Sequence, residues 1–213
     1  DFEKALMALV KREIKAHKRI IFNGNGYDES WVAEAEKRGL LNFKSAADAF
    51  PHYVDQKNLD LFEEFNVMSP VEVKSRYEVK LEQYSKLLNI EGRTMSHMTK
   101  RKIAPAVSSY ADQVASTIID KKAACPDIDP AGDTKLLREL NDGSNRMATA
   151  TAKLDAALEK AQGTTDVLAQ ARSFHDDVLT AMDELREICD EMENIVSTEA
   201  WPLPTYNKML FYC

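Results

Sequence analysis

Apolar residues fall at helical spacing along most of this chain. Phe2, Leu6, Leu9, Val10 and Ile14 repeat every three to four positions, which predicts an amphipathic helix over 1–17. The run Arg19-Ile20-Ile21-Phe22-Asn23 reads as a short strand or as an extended exit from that helix. Asn23-Gly24-Asn25-Gly26 follows as a turn whose glycines permit positive φ. Asp28 or Ser30 can cap a helix carrying Trp31, Val32 and Ala35, and Gly39 is placed to end it. Two shorter pieces come next, 45–50 broken by Pro51 and 55–67 with Asp55 as a candidate cap.

The pattern changes at Ser69. Ser69-Pro70 with Glu72 three residues after the serine forms a capping box with proline at the first helical position. From there to about Ala124 only Pro105 interrupts, which predicts one long bent helix or two nearly continuous ones. Tyr77, Leu81, Tyr84 and Leu88 mark one stripe; Ile103, Val107, Tyr110 and Val114 mark another, out of register with it. The break at 125–133, with two prolines and a glycine, leads to a second long helix. Its seam is Leu137, Leu140, Ser144, Met147, Thr151, Leu154, Leu158 and Ala161. After Gln162-Gly163-Thr164-Thr165 a third helix repeats the pattern through Leu168, Ala171, His175, Val178, Met182, Leu185, Cys189, Met192 and Val196. Such a sustained seven-residue repeat predicts a coiled-coil seam, and short polar connections predict antiparallel neighbours. The seams are rich in Ala, Met, Ser and Thr, so they allow close approach but bury little area. The expected fold is all-α. Short helices occupy 1–68, and a long antiparallel, coiled-coil-like bundle of three long helices occupies 69–199. The tail, too apolar to hang free, packs back on that bundle or on a neighbour and completes a second unit of 69–213.

Charge refines this picture. The net charge of −7 and pI near 5.2 argue against a nucleic-acid-binding domain. Residues 72–122 carry a net +4 and residues 126–200 a net −10, so pairing between helices is expected. No apolar run approaches the roughly 18 residues of a membrane span, and no signal peptide is visible. Three cysteines far apart, Cys125, Cys189 and Cys213, fit reduced thiols in a cytoplasmic setting better than a disulfide framework. Cys189 falls on an apolar stripe and reads as core. A chain opening at Asp1 inside a helical pattern reads as a piece of something longer.

Candidate chemistry is thin. A dinucleotide loop needs a third glycine where Glu29 stands, and a P-loop needs Gly-Lys-Ser/Thr where Gly26 is followed by Tyr27-Asp28-Glu29. The acidic pair would repel phosphate, so the stretch reads as a structural turn. His17, His52, His97 and His175 share no metal-ligand spacing. His175-Asp176-Asp177 and the cluster Glu187, Asp190, Glu191 and Glu193 read as solvated helix faces, with His175 a hydrogen-bonded bundle histidine. Lys100-Arg101-Lys102 lacks the interleaved aromatics of a nucleic-acid patch. Cys125 and Cys213 have no sequence-local partner for nucleophilic catalysis. No catalytic, cofactor-binding or metal-ligating residue is assigned.

Several stretches, in order, resemble the carboxy-terminal part of type III glutamine synthetases: residues 18–42, 61–84, 89–98 with 103–107 after it, and the closing Trp201-Pro202-Leu203-Pro204-Thr205-Tyr206 run to Phe211. The middle of the helical arm, 126–190, matches only in length and character. Gly92 stands where a helix-favouring residue is expected, and Asn66 where the family often has Gly. The resemblance implies a parent enzyme, a glutamate–ammonia ligase that joins ammonia to glutamate with ATP and Mg²⁺ or Mn²⁺, in a ring-shaped homo-oligomer in the cytoplasm. It also implies that the catalytic motifs precede Asp1. This segment alone is then inactive and structural, its partners being its own catalytic domain and neighbouring subunits rather than nucleic acid or membrane. The alternative is a free-standing helical coiled-coil interaction module.

Overall fold

The computed structural model describes residues 1–21 and 23–211. Phe22, in the run before the glycine turn, and Tyr212 and Cys213 at the end lie outside the described residues. Every regular element among the described residues is helical.

Helix α1 spans Phe2–Ala16 and buries none of its side chains. Among the described residues no strand follows it: Lys18–Ile20 is a 3-10 turn, and Ile21 leaves it extended. Helix α2, Glu29–Lys37, is capped by Asp28, whose carboxylate accepts from the Ser30 amide at 2.8 Å. It ends in a Schellman motif. Gly39 sits at φ +73°, the Leu40 amide donates to the Ala35 carbonyl, and the Gly39 amide donates to that of Glu36. Ser45 caps α3, Ala46–Ala49, which passes into a 3-10 turn at Phe50–Val54 where Pro51 takes an early position. Helix α4 is Gln56–Glu64. Asp55 precedes it but makes no side-chain cap; its carboxylate pairs instead with His52 Nδ1 at 3.1 Å. The same Schellman geometry closes α4, here with Asn66 at φ 52° and the Val67 amide donating to the Phe62 carbonyl. Asparagine tolerates the left-handed region better than most side chains, so it can stand at this position.

Helix α5, Pro70–Met98, opens with the full capping box. The Ser69 amide and hydroxyl hold the Glu72 carboxyl below its usual range. A π turn at Thr99–Ile103 joins α5 to α6, Ala104–Ala124. This turn explains the two stripes out of register. A π turn holds one residue more than an α-helical ruler counts, so a face projected through it slips by one position. The buried line Leu88, Gly92, Ser96, Thr99, Ile103, Val107 is continuous across it. Pro105 lacks an N–H, and the carbonyl it would have engaged, that of Arg101, lies inside the π turn.

Helix α7 is Ala131–Gln162. After it come α8, Val167–Ser173, a second π turn at Phe174–Leu179, and α9, Thr180–Glu193. The α7 seam is buried largely where the repeat puts it, at Leu140, Met147, Thr151, Leu154, Leu158 and Ala161. Thr151 satisfies its buried hydroxyl by donating to the Met147 carbonyl at 2.7 Å. On the next helix the repeat needs correction. Phe174 and Ala181 are buried, whereas His175 and Met182 sit at the edge of the core. Ala171, Val178, Leu185, Cys189, Met192 and Val196 keep the predicted seven-residue register through the π turn, so only the two intermediate positions move by one residue. His175 is held by Asp176 at 2.8 Å, outside the seam.

The core joins α6, α7, the second π turn and α9 through Val107, Leu140, Leu154, Phe174, Val178 and Leu185, each 2% exposed or less, with Leu88 of α5 buried beside them. Full burial of one such side chain contributes about 1.5–3 kcal/mol. Polar pairs fix the order along the helices. Arg93 donates to Gln162, Ser96 and Lys100 to Asp155, and Lys121 to Asp133, so α7 numbers fall as α5–α6 numbers rise. Between α7 and the following helix, Arg146 meets Glu191, Lys153 meets Glu184 and Lys160 meets Asp177, again in opposite directions. Cations of α7 therefore match the acidic third helix. Two glycines permit the closest approaches. A Cβ at Gly92 would lie 3.0 Å from Leu158 Cδ2, and one at Gly143 would lie 2.1 Å from Met192 Sδ. The unusual Gly92 is thus a contact point between helices.

The tail divides. Trp201 packs on the bundle, and Leu203 is half-buried beside it. Helix α10, Tyr206–Leu210, leaves Tyr206, Met209 and Leu210 exposed, as is Phe211 after it.

Candidate functional site

The glycine turn is an open loop, not a cradle. A Cβ at Gly26 would meet nothing within 4 Å, and Tyr27 is fully exposed. The start of α2 is already satisfied by Asp28. The Ser30 hydroxyl and amide hold that carboxyl below its usual range, so a negative charge occupies the place a phosphate would need. The loop is braced from the other side. Arg38 donates to the carbonyls of Arg19 and Ile21 at 2.8 and 2.9 Å and to Glu34 at 2.7 Å, and its guanidinium lies over the Trp31 ring. This arginine ties the stretch just before Phe22 to α2. Its role was not legible in the sequence, because the contacts span seventeen and nineteen residues.

The structure keeps the four histidines apart. His17 pairs with Glu13, His52 stacks on Phe43 and pairs with Asp55, and His175 pairs with Asp176. His97 borders a cleft between α5 and α7 with Arg93, Lys100 and Asp155. Among the described residues no group of three or more His, Cys, Asp or Glu side chains is placed to hold a metal ion. Of the basic run, Lys100 turns onto Asp155. There burial raises the carboxyl's pKa, but the bonds from Lys100 and Ser96 outweigh it and leave the group lowered. In the acidic cluster, Glu191 takes two bonds from Arg146, at 2.7 and 3.2 Å, and Asp190 pairs with Arg186. Cys189 is core: burial pushes its thiol up, with the Thr99 hydroxyl 4.0 Å from its sulfur. Cys125 is exposed, and Cys213 lies outside the described residues.

Two surfaces remain that the pattern did not single out. One is the apolar face of residues 1–68, where Phe2, Met7, Leu41, Leu61, Phe65 and Val67 are each at least half exposed. The other is a groove of about 540 Å³ between α5 with its π turn and α9. Met95, Met98 and Met182 form its floor, and the tail residues Trp201 and Leu203 wall it. The Trp201 indole nitrogen has no hydrogen-bond partner among the described residues. Three methionines and a tryptophan from three separate stretches leave no contiguous motif, which is why the groove emerges only on folding. No helix among the described residues is long and apolar enough to cross a membrane.

These features define an all-helical module with an exposed apolar face and an apolar groove. The chain belongs to the glutamine synthetase C-terminal domain family, whose pattern it matches over residues 5–122. It is similar to a glutamine synthetase of Butyrivibrio fibrisolvens, at 36% identity over 99% of this chain and 30% of that protein. A type-3 glutamine synthetase of Dictyostelium discoideum is 29% identical over 98% of this chain and 29% of its own length. A glutamine synthetase of Bacteroides fragilis is 25% identical over 98% of this chain and 29% of its own. The chain thus spans about three-tenths of the length of these relatives. The arm beyond residue 122 lies outside the family match yet within all three alignments.

Proposed function

We propose that this chain is the helical C-terminal region of a type III glutamine synthetase and that its work there is structural. The parent ligates ammonia to glutamate with ATP and a divalent cation, Mg²⁺ or Mn²⁺, in a cytoplasmic homo-oligomeric ring. The residues described here do not fit either cofactor: the glycine loop presents carboxylates, and no metal-holding cluster is formed. The catalytic groups belong to the rest of the parent.

In this reading the chain has two units. Residues 1–68 seat on the catalytic part, and 69–213 form an arm of three long helices, α5–α6, α7 and α8–α9, running antiparallel in sequence order. The arm supports that seat and supplies subunit contacts. One observation carries the reading: the exposed apolar surface is concentrated in 1–68, while the arm buries its own core. Large apolar side chains left exposed in such number on a folded chain point to a contact surface. The test removes residues 126–200 from the full-length enzyme. Loss of assembly or of glutamine formation is expected. Assembly by sedimentation and activity both unchanged would overturn the proposal.

A further inference from the structure

We propose that the groove between α5 and α9 docks a basic amphipathic helix of about three turns from a partner protein. This goes beyond the structural role above and does not depend on it. The groove runs beside Ile90 to Ile103 on one side and Met182 to Glu193 on the other. At 1.5 Å per residue these walls are about 17–20 Å long, the length of a helix of eleven to thirteen residues. The floor suits such a ligand. Methionine side chains adapt to different apolar shapes, and Met95, Met98 and Met182 are all half-buried rather than packed away. Trp201 adds a large, rigid contact at the end where the tail crosses the bundle.

The rim states the sign of the partner. Glu91, Asp190 and Glu193 border the groove, with Arg186 the one cation among its lining residues and already paired to Asp190. Glu91 and Glu193 are exposed and make no ion pair among the described residues, one on the α5 side of the groove and one on the α9 side. The α9 wall belongs to residues 126–200, which carry a net −10, and the α5 wall to residues 72–122, which carry a net +4, so the negative sign is set by the rim carboxylates and the α9 side. An apolar trough between acidic banks recognises a helix with apolar anchors at i, i+3/i+4 and i+7 and lysines or arginines flanking them.

The test uses the chain with Trp31→Phe, so that Trp201 is the sole indole and reports from the groove. The probe is an acetylated fourteen-residue helix of leucine and lysine with the leucines on one face. Its control carries glutamate in place of every lysine. The lysine probe is expected to shift Trp201 emission saturably, and the glutamate control to bind at least tenfold more weakly. Glu91→Lys with Glu193→Lys should weaken the lysine probe at least tenfold while helical content is unchanged, since both side chains are exposed. Leu203→Ala should weaken it several-fold without touching charge. Emission that does not move, equal binding of both probes, or weakening by charge reversal but not by Leu203→Ala would each overturn the proposal. So would a dimer of the chain alone in which Trp201 is already shielded and which the rim variants dissociate, for the occupant would then be a second copy.

Discussion

Residues 1–68 and the arm beyond them are both helical and both amphipathic, yet they stand differently in the fold. In the first region the buried apolar side chains are Ala35, Ala47 and Leu59, while Leu6, Val10 and Ile14 remain about half exposed. In the arm, Leu140, Leu154, Phe174 and Leu185 are sealed. What separates them is not propensity but supply of partners. Each long helix faces two others, whereas α1 faces none that buries it. Helical periodicity therefore tells which face a helix wants covered, not what covers it.

The comparison is most sharply tested by paired truncations. Phe174→Ala should cost about 3–5 kcal/mol, read as a lower urea midpoint of the chain. Val10→Ala should change that midpoint by less than about 0.5 kcal/mol, because the chain alone does not bury it. Equal losses would break the distinction between the two regions. Gly143→Ala should follow at about 1–3 kcal/mol, since the new Cβ must displace Met192, itself 2% exposed. Gly39→Ala puts a side chain at φ +73° and should loosen the end of α2 by about 1–2 kcal/mol, seen as faster amide exchange at Leu40. The arm's midpoint should hardly respond to it.

The smallest effect is one of pH. The Asp155 carboxyl is lowered in the folded chain by Lys100 and Ser96 against its burial. A depressed carboxyl contributes stability that is present above its unfolded value, about 3.9, and is lost as pH falls through the folded one. The urea midpoint should therefore drop between pH 5 and pH 3, and Asp155→Asn should lose less over the same interval. An identical drop in the variant would show that the pair does not couple to folding.

Much of this fold was legible because its signals are local. The Ser69 capping box, the Asp28 cap and the glycine stop at Gly39 each act within a few residues, and each stands where the sequence puts it. The seam of α7 was legible for a related reason: α7 runs uninterrupted, so one ruler serves its whole length. The next helix departs from that ruler at His175 and Met182, whose places in the core are taken by Phe174 and Ala181 while Val178 and Leu185 keep the register. Asp55 fails as a side-chain cap because His52 competes for its carboxylate. The surfaces were the least legible. Arg38, the methionine groove and the parting of the tail after Leu203 all depend on residues far apart in sequence.

The ion pairs between α7 and its acidic neighbour have a further consequence. Arg146, Lys153 and Lys160 lie at equal intervals, as do Glu191, Glu184 and Asp177 opposite them. A ladder with evenly spaced rungs reads the same after sliding by one rung. Lys153 would then reach Glu191 and Lys160 would reach Glu184, and only one rung would be lost. Charge alone thus cannot tell the true alignment from its neighbour. Met192 can, because its sulfur occupies the space left by Gly143, and a slide would offer it Ala150 or Leu136 instead. The missing side chain is the keyhole, and the ladder only holds the door once the key has turned.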